Sequence, residues 1–194
     1  AWIAPGNERV LGALARAAGF EDVALSSDLA PTPGLLDRAW TVEADAILTP
    51  LLRRYLRGVQ EICPSGARLL AMKSSGGLGA PDTLRGVHAV LSGPAGGVVA
   101  CGEIARRAGL GAVLGFDMGG TSTDVCRWAG DVERTDRLEV GGRSLAAPSL
   151  DVVTVAAGGG SRLAVVDGRA VVGPGSAGAE PGPAGYGRGG PATR

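Results

Sequence analysis

Glycine is distributed very unevenly along this chain of 194 residues. Six of its 34 glycines fall in residues 1–75 and 28 fall in residues 76–194. Together with 12 prolines they make up about a quarter of the chain, a level at which low-complexity disorder has to be considered. Disorder is not expected, because 45% of the residues are hydrophobic, the formal net charge is zero and the glycines lack a collagen period. We expect an N-terminal α/β segment over residues 1–75 and a glycine-rich segment over residues 76–194, where the backbone turns sharply or approaches another group closely.

The remaining composition excludes several classes of protein. Basic and acidic residues number 19 each, so a dedicated nucleic-acid binder is not expected. No apolar stretch approaches the ~20 residues that span a bilayer, and no charged-then-apolar leader opens the chain, so no membrane partner is expected. Three scattered cysteines outside any CxxC pattern suit a reducing cytoplasm, and the lone His88 excludes a histidine zinc site or a Ser-His-Asp triad. A start at Ala1 and an end within a Gly/Pro-rich run indicate a fragment.

Hydrophobic periodicity and turn residues predict the main elements. We expect a helix over residues 7–18 with Asn7 as its N-cap and an apolar face of Val10, Leu11 and Leu14. Strands are predicted over residues 22–26 and 68–72. Thr41 is expected to cap a helix that Pro50 either kinks or ends, with Thr49 then capping a second helix. A small-residue helix is predicted from about residue 94 to 109, where its glycines serve either close packing or a ligand.

The segment AVLGFDMGGTSTDVCRW over residues 112–128 is the most informative for function. It reads as two strands joined by a glycine turn, in which successive amides of Gly119 and Gly120 converge on one point and bind an anion. Thr121, Ser122 and Thr123 add hydroxyl donors. A carboxylate repels phosphate, so Asp117 and Asp124 are not expected to contact phosphate directly. They would instead hold a bound Mg²⁺, directly or through water, or orient a water molecule. The alternative is a tight hairpin whose polar side chains satisfy their own backbone.

Two further glycine clusters follow the hairpin. Gly158, Gly159 and Gly160 precede Ser161 and imply close approach either to a nucleotide or to a neighbouring segment. Residues 173–178 match GxGxxG, but no helix is expected after them, so a dinucleotide site is rejected. Between the clusters, the Asp-Gly pair at residues 167–168 predicts a two-residue hairpin.

Six motifs resemble the hydantoinase A/5-oxoprolinase family in that family's order. They are DAILTP (45–50), MKSSGGL (72–78), VLSGPAGGVV (90–99), GFDMGGTSTDV (115–125), DVVTVAAGGGSRL (151–163) and GPGSAGAEPGPAGYGRGG (173–190). The resemblance covers nearly the whole chain and leans toward the 5-oxoprolinase branch. It implies part of an α/β actin-like ATPase fold, with residues 117–123 as the second phosphate hairpin and residues 158–161 near the nucleotide.

The resemblance also implies an activity, cofactors and a partner. The family uses ATP and Mg²⁺ to open cyclic amides, converting 5-oxo-L-proline to L-glutamate, and its A-type chain works with a hydantoinase B-type subunit or fused domain, in an oligomer. The alternatives are a hydantoinase or N-methylhydantoinase subunit, or a non-catalytic ATP-binding or docking module. Lys73 replaces the family's usual glutamine and Gly185 a common cysteine. Because the family's earlier phosphate hairpin is absent, this piece alone is expected to hold half an ATP site and to be inactive.

Overall fold

The contacts within this computed structural model, which describes residues 2–194, divide the chain into two compact units. The first unit runs up to Gly96 and resumes over Glu133–Leu150, and the second comprises Gly97–Val132 and Asp151–Arg194. The division after residue 75 rests on glycine content and stays a prediction.

The first unit is mainly helical. Its helices are α1 (Gly6–Ala17), α2 (Ser26–Leu29), α3 (Leu35–Ile62) and a 3-10 helix (Gly86–Ala89), and α4 (Ser92–Arg107) begins in it. Its short antiparallel strand pairs are β1 (Ala71–Met72) with β2 (Leu78–Gly79), β5 (Arg134–Thr135) with β8 (Ser149–Leu150) and β6 (Leu138–Val140) with β7 (Arg143–Leu145). The strand predicted over residues 68–72 is therefore reduced to two residues. A buried cluster of Val87, Leu138, Leu145 and Ala147 forms the core of this unit.

Helix α3 is one continuous element through Pro50, which is the first of the two predicted alternatives, a single helix that contains the proline. Thr41 and Thr49 lie within the helix instead of capping it. The Thr41 hydroxyl donates to the Asp37 carbonyl at 2.6 Å and accepts from the Ala146 amide at 2.8 Å. The predicted caps at Thr41 and Thr49 and the alternative of a second helix are therefore wrong, since tertiary hydrogen bonds use the threonine hydroxyls and packing maintains the helix.

The buried carboxylate of Asp45 joins α3 to the 3-10 helix. It is fully buried and accepts hydrogen bonds from the Thr49 hydroxyl at 2.9 Å and the Val87 amide at 3.3 Å, and it pairs with the guanidinium of Arg85. The Thr49 hydroxyl in turn accepts from the Gly86 amide at 2.9 Å. A buried charge is tolerated only when it is paired and hydrogen-bonded, as it is here. This network accounts for the DAILTP motif structurally.

The N-terminal segment also departs from prediction. Pro5, not Asn7, precedes the first turn of α1 and makes no side-chain cap. The Glu8 carboxylate accepts hydrogen bonds from the amides of Ser26 at 2.6 Å and Ser27 at 3.2 Å. Burial acts to raise the pKa of Glu8, but these hydrogen bonds outweigh it and lower the pKa. Because the chain turns here into the short helix α2, the strand predicted over residues 22–26 does not form. The predicted apolar face of α1 is exposed.

The second unit contains the sheet that positions the candidate site. This sheet has the order β3 (Val113–Met118), β4 (Thr123–Trp128) and β9 (Val153–Val155), all antiparallel. A hairpin of β10 (Ser161–Val166) and β11 (Arg169–Ser176) follows, turning at residues 167–168 as predicted, and a 3-10 helix spans Ala184–Tyr186. No helix in the described residues 2–194 is long and apolar enough to cross a membrane.

Small residues let the second part of α4 pack closely in this unit. A Cβ atom on Gly102 would lie 2.8 Å from Cδ1 of Trp128, and one on Gly115 would lie 2.5 Å from Sγ of Cys126 and 3.1 Å from Sγ of Cys101. Burial and the neighbouring Cys101 raise the pKa of Cys126. Of the two interpretations of the small-residue helix, close packing therefore holds at Gly102.

Candidate functional site

The predicted glycine turn joins β3 and β4. Met118 pairs with Thr123, so the turn itself is residues 119–122, which confirms the predicted hairpin. The amide of Gly119 donates to the Ser122 carbonyl at 2.9 Å. Among residues 2–194, no protein acceptor serves the amides of Gly120, Thr121 and Ser122. The amides available to an anion thus begin one residue later than expected, at Gly120.

The two aspartates of the motif lie directly opposite each other. Asp117 pairs with Asp124 in the register of β3 and β4, so both side chains project from the same face of the sheet. The Thr154 hydroxyl on β9 donates to Oδ1 of Asp124 at 2.7 Å. An Oδ2 atom of Asp117 lies 3.9 Å from the position of a Cβ on Gly97 of α4.

This carboxylate pair fits a divalent cation. Like charges placed directly opposite in a sheet repel each other, and a cation between them removes that repulsion. In the part of the chain that the structure describes, no group of three His, Cys, Asp or Glu side chains is placed to hold a metal. Mg²⁺ commonly takes one or two carboxylates and completes its shell with water and phosphate oxygens, so two aspartates are a sufficient donor set.

The triple glycine packs against the hairpin turn, backbone to backbone. The Gly159 amide donates to the Gly119 carbonyl at 2.9 Å, and the Gly160 amide donates to the Gly120 carbonyl at 2.6 Å. A Cβ on Gly158 would lie 2.6 Å from the Gly119 carbonyl oxygen. Of the two interpretations of this cluster, approach to a neighbouring segment is the one observed, and that segment is the glycine turn itself. The amides of Gly159 and Gly160 are thereby occupied.

Two of the predicted hydroxyl donors are buried and bonded within the protein. Thr123 donates to the Ala157 carbonyl at 2.6 Å, and Ser161 accepts from the Gly158 amide at 2.9 Å. Each side chain is only 3% exposed. Thr123 therefore fastens the hairpin to the segment that precedes the triple glycine, and Ser161 closes the triple-glycine turn on itself. Thr121 and Ser122 remain on the open turn, exposed and half-buried respectively.

A cavity of about 620 Å³ brings the two turns together with a third segment. Its walls are formed by Met118, Gly119, Gly120, Gly159, Gly160, Gly178, Pro183, Gly185, Tyr186, Thr193 and Arg194. The sequence predicted the first two parts of this lining. For residues 176–190 the sequence favours a packed surface loop and offers Tyr186 and Arg188 as residues that could face a substrate. Tyr186 lines the cavity and Arg188 does not.

One ionisable group of α4, the Glu103 carboxylate, has a strongly lowered pKa. Hydrogen bonds from Arg106 and Arg107 lower the pKa of Glu103 to about 2. All three side chains lie on the exposed side of the helix, so this cluster is a solvated surface feature and not part of the cavity.

Comparison with known proteins identifies the family. The sequence profile described as Hydantoinase/oxoprolinase matches residues 38–194. The chain belongs to this family. It is 44% identical to 5-oxoprolinase 1 of Arabidopsis thaliana over 192 residues, which are 96% of this chain and 15% of that protein. It is 34% identical to the caprolactamase subunit alpha of Pseudomonas jessenii, over 96% of this chain and 28% of that subunit.

A solved structure confirms the fold. The ATP-dependent caprolactamase from Pseudomonas jessenii matches with a TM-score of 0.79 and 31% identity, over 97% of this chain and 29% of the solved chain. The predicted fold class, part of an α/β ATPase fold of the actin-like type, is therefore confirmed. This chain spans about 15% of the length of the 5-oxoprolinases that it matches.

Proposed function

We propose that this chain is the part of an ATP-dependent cyclic amide hydrolase that holds nucleotide phosphate and Mg²⁺. The observation that carries the proposal is the open turn of Gly120, Thr121 and Ser122, which joins two strands with facing aspartates and lines a cavity through Gly120. Amides without a protein acceptor suit phosphate oxygens, and the aspartates suit the cation that accompanies them.

The proposed chemistry requires mainly positioning. The amides of Gly120 to Ser122 bind phosphate oxygens, with Thr121 and Ser122 adding hydroxyl donors, and Asp117 and Asp124 hold the cation directly or through water. When bound, Mg²⁺ neutralises charge on the transferred phosphoryl group. In the proposed reaction the γ-phosphoryl group of ATP would be transferred to the amide oxygen of the substrate, leaving ADP. Attack by water on the activated carbon would then break the ring C–N bond and release phosphate.

The proposed substrate is 5-oxo-L-proline, converted to L-glutamate. Relatives named 5-oxoprolinase share 40–44% identity with this chain, above the 34% of the caprolactamase subunit, and both names denote action on a lactam. The match to a subunit alpha supports a multi-subunit arrangement. The chain covers 28% of that subunit and only 15% of the 5-oxoprolinases, so the latter are about twice as long and have room for a fused B-type region. The free cysteines suit a cytoplasmic enzyme.

Asp117→Asn in the full-length protein tests this proposal. The substitution keeps the size of the side chain and removes its charge, and we expect ADP release in the presence of 5-oxoproline to fall by at least about 100-fold. Asp167→Asn is the matched control, because Asp167 lies in the β10–β11 turn at a φ of 51° that asparagine tolerates. Unchanged turnover in Asp117→Asn would indicate a non-catalytic module. Faster turnover with hydantoin than with 5-oxoproline would assign the hydantoinase activity instead.

A further inference from the structure

Tyr186 contributes a large aromatic surface to the cavity. Six of the other lining residues are glycines, and the rest are Met118, Pro183, Thr193 and Arg194. Tyr186 is therefore the one aromatic ring among the described lining residues, and 61% of its surface is exposed. No described lining residue carries a carboxylate, so the cavity suits a neutral or anionic ligand.

Backbone hydrogen bonds fix the turn that carries Tyr186. Its amide donates to the Pro183 carbonyl at 2.9 Å, and the Gly187 amide donates to the Ala184 carbonyl at 3.1 Å, which closes the 3-10 turn. The ring edge lies directly on Gly182, where a Cβ would overlap Cδ2 and lie 2.9 Å from Cε2. Gly182 also has a φ of +76°, which side chains rarely adopt. Gly182 thus leaves room for one edge of the ring, and most of the ring surface stays exposed.

We propose that Tyr186 is a binding residue that stacks against a planar ring of the ligand. This inference rests on the proposed function, which supplies two planar groups for one cavity: the adenine of ATP and the amide plane of the cyclic substrate. Both present a flat conjugated face, and aromatic side chains bind such faces by stacking. A Cβ on the neighbouring Gly185 would meet no atom within 4 Å, so space for the stacked group adjoins Tyr186.

Steady-state kinetics of the full-length protein test the stacking role. Tyr186→Leu is expected to raise the KM for either ATP or the cyclic amide by about tenfold, and the ligand affected identifies the ring that stacks. Tyr186→Phe retains the aromatic face and is expected to keep both KM values within about twofold. Tyr55→Leu is the matched control, because Tyr55 is also exposed, at 68%, and is not among the residues that line the cavity. If both KM values of Tyr186→Leu equal those of the parent, stacking by Tyr186 is refuted.

A spectroscopic arm separates this inference from the proposed function. Tyr186→Trp places an indole on the same wall, and its emission, taken as the difference from the parent protein, should change on addition of ATP or the cyclic amide. Unchanged emission with both ligands overturns the inference even when the enzyme turns over. Conversely, absence of hydrolysis in the parent protein contradicts the proposed function, while the emission change still reports a ligand against the ring. The emission experiment also tests the inference if Tyr186→Leu fails to fold.

Discussion

Gly158→Ala is the substitution whose effect follows most directly from the geometry of the two glycine turns. The added Cβ would lie 2.6 Å from the Gly119 carbonyl oxygen and 2.7 Å and 2.8 Å from the carbonyl carbon and oxygen of Gly120. These are backbone atoms, which cannot move aside as the end of a flexible side chain can. The triple-glycine segment is therefore expected to shift away from the hairpin turn.

The cost has two parts. Overpacking of this kind costs about 1–3 kcal/mol. The shift also weakens the hydrogen bonds from the Gly159 amide at 2.9 Å and the Gly160 amide at 2.6 Å, each contributing about 1 kcal/mol. We expect a loss of about 3 kcal/mol in the free energy of unfolding. For a chain of this size that corresponds to a melting temperature lower by about 6–12 °C.

Gly159→Ala provides the control within the same turn. Its Cβ would lie 3.8 Å from the Gly119 carbonyl oxygen, an ordinary contact, and Gly159 does not have a positive φ. We expect a result between no change and a stabilisation of about 1 kcal/mol, since alanine restricts the unfolded chain. Urea unfolding followed by circular dichroism measures both variants against the parent. Equal free energies of unfolding for the two variants would refute the backbone-contact argument.

Three other substitutions test separate parts of the fold. Gly115→Ala should destabilise the chain by about 1–3 kcal/mol, because its Cβ would meet the sulfur of Cys126 at 2.5 Å. Adding Cys126→Ala to this variant should recover part of the lost stability in urea unfolding. Equal stability of the single and double variants would contradict the contact. Asp45→Ala should lower the free energy of unfolding by about 3–5 kcal/mol, because it leaves the Arg85 guanidinium without its buried partner. Thermal unfolding measures this loss, and an unchanged stability would show that the network is unimportant. Burial lowers the pKa of His88, and Lys73 and Arg85 lower it further, while Asp45 acts to raise it. His88 therefore takes up a proton at lower pH in the folded chain than in the unfolded chain. Stability is fully present above about pH 6.5 and declines as the pH falls toward the folded pKa. His88→Gln should flatten this decline in unfolding measured from pH 7.5 to 5, and an identical pH dependence would exclude His88 as its source.

The hairpin was predictable because all its signals are local. An apolar run before Gly119 and Gly120 and a strand-like run after them specify two strands and their turn, and the observed register places Asp117 opposite Asp124. The triple glycine was predictable as a place of close approach, but its partner was not. Identifying that partner required the pairing of β9 with β4, which brings segments some 40 residues apart to the same edge.

The errors arose where long-range hydrogen bonds override local preference. Thr41 and Thr49 resemble helix caps in sequence, but α3 continues past both. The Thr41 hydroxyl accepts a hydrogen bond from the Ala146 amide. The Thr49 hydroxyl donates to Asp45 and accepts from the Gly86 amide. Residues 22–26 resemble a strand, yet the Glu8 carboxylate bonds the amides of Ser26 and Ser27 and the chain turns there. Single-sequence patterns contain no record of partners 18 or 105 residues away.

The glycines of the site differ in the physical reason for which glycine is needed at each position. Gly158 and Gly160 are required by packing, since a Cβ on either would lie within 2.8 Å of backbone atoms of the hairpin turn. Gly120 has no such requirement: a Cβ there would meet nothing within 4 Å, and its φ is not positive. Folding of the described chain therefore gives no reason for glycine at this position, although it lines the cavity and its amide lacks a protein acceptor. A ligand that approaches the backbone closely supplies the missing reason, and an anion is the ligand that an open turn of amides selects.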